Sequence, residues 1–146
     1  MGVVGTWNLL HWRRTGSDGQ LVFPLGEDAR GLLVYTRNGH VIVQMAASGR
    51  APIEGTDPLG GSVEERAAAY SGFLGYFGSY EVQGGDIVHH VDSCSYPNWS
   101  QTVAVRPFEL HGEQLILRTP PTASHGTTWV NEMAWQRAAA SHPAEV

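Results

Sequence analysis

Gly, Asn, Asp and Pro recur at short intervals along the chain, and the segments between them carry Val, Leu, Ile, Tyr, Trp and Thr at strand lengths. That is the pattern of β-strands joined by tight turns. Ser17-Asp18-Gly19 separates a strand over Thr6–Arg14 from a short one near Gln20–Phe23. Asn38-Gly39, a dipeptide suited to the positive φ angles of a two-residue hairpin loop, joins Gly31–Thr36 to His40–Ala46. Gly84-Gly85 joins Tyr76–Gln83 to Asp86–Ser95, His111-Gly112-Glu113 joins Thr102–Leu110 to Gln114–Thr119, and a last strand runs near Thr127–Trp135. The expected fold class is all-β: a closed antiparallel β-barrel of about 8-9 strands in sequential hairpin order, because closure removes the exposed edges of a meander.

One segment departs from alternation. Ser62 followed by Glu65 is a capping box, and Val63, Arg66/Ala67, Tyr70 and Phe73/Leu74 then recur at helical spacing, which predicts one short helix from Val63 to Leu74. The stretch from Ser48 to Gly61, with two Pro and several Gly, is expected to be a loop at a barrel mouth. Residues 1–137 form the barrel domain in this reading, and 138–146 a disordered tail.

Composition narrows the class. A chain of 146 residues can bury one core without staples, and 18 Gly and 8 Pro against only 16% charged residues suit many turns and few long helices. A formal net charge of −5 without a Lys/Arg-rich run argues against nucleic acid as a partner. The only cysteine, Cys94, has no partner for an internal disulfide, and no segment has the apolar length of a membrane span or the build of a leader. A cytoplasmic protein with no membrane partner is expected. Met1-Gly2 with Thr6 and Asn98-Trp99-Ser100 match lipidation and glycosylation patterns short enough to arise by chance.

A family resemblance rests on an ordered set of motifs. Gly5-Thr6-Trp7 opens the first strand, and Pro24-Leu25-Gly26 precedes Gly31-Leu32-Leu33-Val34-Tyr35-Thr36. Tyr76-Phe77-Gly78-Ser79-Tyr80-Glu81-Val82, His89-His90-Val91, Pro97-Asn98-Trp99 and Arg106 with Phe108-Glu109-Leu110 follow. Over about residues 5 to 135 the chain resembles the bacterial and fungal lipocalin-like domain family. The resemblance implies a calycin-type lipocalin-like barrel around an internal ligand cavity, and brings no known catalytic set. Related barrels include carriers and cofactor-free cyclases and isomerases, so fold analogy does not choose between them. Two departures stand out: Pro107, which should mark a bulge or an edge, and Ser100-Gln101, which follow the Asn-Trp pair where glycine is common.

Alternation then divides strand residues into inward and outward sets. Ala104, Arg106, Phe108 and Leu110 are the better inward set of their strand, which puts Arg106 among apolar neighbours, where a guanidinium stays charged and needs a partner. That partner is the ligand, a carbonyl cluster or a structural carboxylate such as Asp92 or Glu81. His89 and His90, adjacent on one strand, face opposite ways and cannot chelate one metal together. Apolarity favours the set with His89, whereas a polar cavity would favour His90; the inward one is either a proton shuttle or a hydrogen-bonded core histidine. Tyr35 joins Arg106, His89 and His90 as a candidate catalytic residue, and Gln44, Tyr80, Trp99, Phe108 and Trp129 are candidate ligand-binding residues, offering apolar faces with phenol, amide and indole groups. Trp7 is assigned to packing. No nucleophile elbow, phosphate loop, dinucleotide fingerprint or zinc spacing is present in the sequence. No metal and no cofactor are expected, haem on a single His being the one option left open.

These features lead to a barrel that binds a small apolar organic ligand, with a cofactor-free cyclase or isomerase of a natural product as the leading expectation. Orientation alone can contribute about 7 to 11 kcal/mol to such a reaction. The alternative is a non-catalytic carrier of a hydrophobic ligand, and a third reading is an accessory domain that binds another protein. The Trp-rich surface leaves room for a homodimer.

Overall fold

The computed structural model describes residues 2–140. Ten strands run in chain order: β1 (Gly5–Gly16), β2 (Leu21–Val22), β3 (Arg30–Tyr35), β4 (His40–Ala46), β5 (Phe73–Gln83), β6 (Asp86–Cys94), β7 (Thr102–His111), β8 (Gln114–Arg118), β9 (Thr122–Ser124) and β10 (Thr127–Arg137). Helix α1 (Val63–Ser71) follows β4, and a short 3-10 turn over Pro97–Trp99 precedes β7. The sheet order is β2-β1-β3-β4-β5-β6-β7-β8-β10-β9, and β1 also pairs with β10. That last antiparallel pairing, from Trp7 opposite Arg137 to Gly16 opposite Trp129, closes β1, β3 to β8 and β10 into a barrel. β2 and β9 extend it on β1 and β10.

The helix is shorter than its periodicity predicts. Ser62 and Glu65 form the expected capping box, but Gly72 caps the far end, and Phe73 and Leu74 open β5 opposite Ala46 and Met45. None of the helix residues is buried, so packing does not extend it, whereas ladder bonds to β4 capture the apolar pair. Of the expected tail, Ala138 still donates its N–H to the Thr6 carbonyl at 2.8 Å, and 141–146 lie outside the described residues.

Two bulges reset which side chains face inward. The β1–β10 register shifts between Leu9 and His11, so Trp7 and Leu9 point in before the shift and Trp12 and Arg14 line the interior after it. The β5–β6 register shifts at Phe77/Gly78, where Gly78 is opposite Val91 and Phe77 opposite Ser93; Asp92 is the extra residue, and Cys94 turns inward. A Cβ on Gly78 would collide with the His90 carbonyl oxygen, so the crossing needs glycine.

Pro107 marks a local edge, open on the side of β8. It is the last β7 residue paired with β6, opposite Asp86, and pairing with β8 starts only at Phe108, opposite Leu117. The missing N–H falls where one ladder hands over to the other. Gln101 takes a φ of 62°, the left-handed conformation for which glycine is the usual residue.

Trp7, Leu33, Val41, Ile87 and Leu115 are completely buried at the centre of the core. The Trp7 indole donates to the Val3 carbonyl at 2.9 Å and lies under the Arg137 guanidinium, which fixes it as a packing residue.

Candidate functional site

Residues Thr102 to Pro107 pair only with β6, because β8 ends at Arg118 and Pro120-Pro121 follow it, without N–H groups to continue a ladder. The wall is therefore split between the first half of β7 and the segment after β8. A cavity of about 780 Å³ extends from this gap into the barrel: Val103 and Val105 line one side of the opening, Thr119, Pro120 and Thr122 the other. Inside, Val43, Met45, Leu117 and Met133 supply aliphatic surface, and Trp12, Trp99, Trp129 and Trp135 supply flat aromatic faces. Tyr70 and Ser71 of α1 and Phe73 of β5 border its outer end.

Polar groups are set among these apolar faces: Ser95, Thr102, Thr119, Ser124 and Asn131 add hydroxyl and amide groups to the lining. Tyr76 and Arg106 face the cavity from β5 and β7, and Arg14 from β1, its guanidinium 4.6 Å over the Trp129 ring. Behind Tyr76 the imidazole of His89, fully buried, bridges two phenols: Nε2 lies 2.7 Å from the Tyr35 hydroxyl and Nδ1 2.8 Å from that of Tyr76. Burial, with the charge of Arg106 and then of His90 adding to it, lowers the His89 pKa to about 3, so the ring is neutral at ordinary pH and has one donor and one acceptor. Tyr35 is buried and His89 is its one hydrogen-bond partner, so its O–H donates to Nε2. Nδ1 then carries the ring proton and donates to the Tyr76 oxygen, which leaves the Tyr76 O–H directed at the cavity. Burial raises the pKa of both phenols, that of Tyr35 the more strongly, and both stay protonated.

Arg106, 7% exposed, stacks at 6.0 Å from the Trp99 ring centroid, and its one hydrogen bond within the chain runs from Nη1 to the Val105 carbonyl at 3.3 Å. The carboxylate partners considered for it are engaged elsewhere: Glu81 holds His90 at 3.0 Å on the outside, and Asp92 accepts from the Gln101 amide at 3.4 Å. Among the described residues Arg106 has no carboxylate within ion-pair distance.

The sequence-derived candidates therefore separate. Arg106, Trp99 and Trp129 line the cavity. His89 and Tyr35 face inward but lie behind the lining, and Phe108 packs on the core without reaching it. Tyr80 stacks on Tyr35 at 4.6 Å and donates to the Thr36 carbonyl at 2.8 Å, also away from the cavity. His90 and Gln44 point outward, the latter covering Gly75, because Val41, Val43 and Met45 take the inward positions of β4. Tyr76, Arg14 and Trp12 were not singled out. Tyr76 shares an alternation set with Tyr80 and was within reach of the sequence; Arg14 and Trp12 depend on the β1 bulge. Among the described residues no cluster of His, Cys, Asp and Glu is arranged to hold a metal ion, and no helix is long and apolar enough to cross a membrane.

The 4'-hydroxy-3'-methoxypropiophenone carrier protein ppsC of Aspergillus oryzae is 29% identical over 103 residues, which cover 64% of this chain and 93% of that protein. A crystal structure of a mutant of the fluorescent protein UnaG aligns with 93% of this chain and 96% of its own, at a TM-score of 0.40 and 11% identity. Residues 4–138 match the family described as the lipocalin-like domain, and the chain accordingly belongs to the lipocalin-like domain family.

Proposed function

We propose that the protein is a non-catalytic carrier for a small aromatic organic molecule. The observation that carries this reading is the cavity of about 780 Å³, which has the volume of a ligand site, a lining in which aliphatic and aromatic side chains supply most of the surface, and an opening through the β7–β8 gap. The flat faces of Trp12, Trp99 and Trp129 suit a planar ring system. The similarity to a protein named as the carrier of a substituted propiophenone points the same way.

A cyclase or isomerase that works by proton transfer needs a group that moves a proton at working pH. His89 is held neutral down to about pH 3, is locked between two phenols and does not line the cavity; His90 lies outside with Glu81. Both placements weigh against a histidine proton shuttle and favour carriage over catalysis.

The test is a thermal-shift screen of phenolic aryl ketones and related aromatic natural products, with each binder recovered and characterised by chromatography and mass spectrometry. A carrier binds members of this set and returns them unchanged. Recovery of an isomer or a cyclised product that appears only with the protein overturns the proposal, as does a lack of binding across the set.

A further inference from the structure

The cavity has an electrostatic character opposite to that of the chain. Formal net charge is −5, yet the lining contains two guanidinium groups, Arg14 and Arg106, and no Asp or Glu among the described residues. Arg106 is more than nine-tenths buried and lacks a carboxylate partner; the Val105 carbonyl, the Trp99 indole face and the Tyr76 phenol lie beside it. The phenols beside it stay protonated and supply no negative charge. A buried cation left in this state is costly, because desolvation is not offset by an opposite charge. Next to it, the hydrogen-bond network of His89 leaves the Tyr76 O–H as an uncommitted donor at the cavity surface. A guanidinium with free N–H groups and a phenol O–H on one cavity, with no competing carboxylate in its lining among the described residues, form a receptor for negative oxygen.

We infer that the cavity selects ligands carrying an ionised acidic oxygen, a carboxylate, sulfonate or acidic phenolate, seated between the Arg106 guanidinium and the Tyr76 hydroxyl, with the ring system against the tryptophans. This rests on the carrier reading and adds to it the charge and the orientation of the ligand. Arg14, held over Trp129 with its Nε buried and unpaired, is a second cation of the lining and adds to the preference for anions.

The experiment compares two fluorescent probes of nearly the same skeleton, anilinonaphthalene sulfonate and the neutral N-phenylnaphthylamine, titrated into the full chain and into Arg106→Met and Tyr76→Phe. The expected result is that the sulfonate binds the unaltered protein at least about tenfold more tightly than the neutral probe, the scale of one charge-assisted contact. Arg106→Met removes that advantage, and Tyr76→Phe reduces it. Arg106→Met is also expected to melt no lower than the unaltered protein, since an unpaired buried cation is replaced by an apolar side chain of similar length. If the neutral probe binds as tightly as the sulfonate, or if the advantage survives Arg106→Met, the inference fails while the cavity reading stands. If neither probe binds, the cavity reading fails and takes the inference with it. The comparison of the two probes on the unaltered protein decides the matter even where a variant does not fold.

Discussion

Neutrality of His89 has a cost that pH exposes. Its folded pKa of about 3 lies below the ordinary histidine value of 6.5, so between those values the unfolded chain binds a proton that the folded one refuses. Stability is therefore full above about pH 6.5 and falls as pH drops towards 3, by about 3 kcal/mol at pH 4 from this residue alone. Chemical denaturation at pH 7 and pH 4 measures it, and His89→Gln is expected to flatten much of the difference while being less stable at pH 7. The two phenols on His89 are not equivalent. Tyr35→Phe leaves a ring nitrogen buried without its partner, at about 1–3 kcal/mol in stability, and leaves ligand affinity nearly unchanged, because Tyr35 does not line the cavity. Tyr76→Phe has a similar effect on stability and lowers ligand affinity as well. Denaturant midpoints and ligand titrations on the two variants separate these effects.

Among the elements, the β1–β10 seam and the β5–β6 bulge hold the barrel in the register that builds the site. On the seam, Glu132 of β10 accepts from Arg13 at 2.8 Å, from Arg118 at 3.2 Å and from His11 at 3.0 Å. Burial alone would raise its pKa, but His11, Arg13 and Arg118 together hold it below the usual value. Glu132→Gln removes the carboxylate that Arg13 and Arg118 share, leaving Arg118 with Glu109 alone, and should cost about 1 kcal/mol, more at low salt than at high. At the β5–β6 bulge, Gly78→Ala must displace the His90 backbone, an expected loss of at least about 2 kcal/mol in urea denaturation. Strand positions were legible because hairpin turns and β-rich segments are local signals: His40–Ala46 is predicted with the bounds observed. Inward facing beyond a bulge was not. Simple alternation from Trp7 places His11 and Arg13 inside, and the shift after Leu9 substitutes Trp12 and Arg14.

For the protein as a unit, ligand binding and folding are linked. A ligand present at about a hundred times its Kd adds about 2.7 kcal/mol to stability, an upward shift in Tm of about 5 to 10 °C for a chain of this size. Ala104→Trp, placed on the inward side of the unpaired half of β7, is expected to abolish that shift by filling the entrance to the cavity. Its far-UV circular dichroism should remain that of the unaltered protein.

Turn residues, strand composition and one capping box are enough to specify a closed all-β chain with a short helix, because each depends on neighbours within a few positions. Ordered motifs such as Gly5-Thr6-Trp7 and Pro97-Asn98-Trp99 carried the family. The inward direction of Arg106 was also readable, from the apolar company of Ala104, Phe108 and Leu110. Its lack of a carboxylate partner was not, since Glu81 and Asp92 lie on strands whose register decides which side of the wall they occupy. The bridge of His89 between Tyr35 and Tyr76 joins three strands, and the opening beside Pro107 depends on where β7 changes partners. Such features arise from pairing over long sequence separations, and pairing register is a property of the closed barrel.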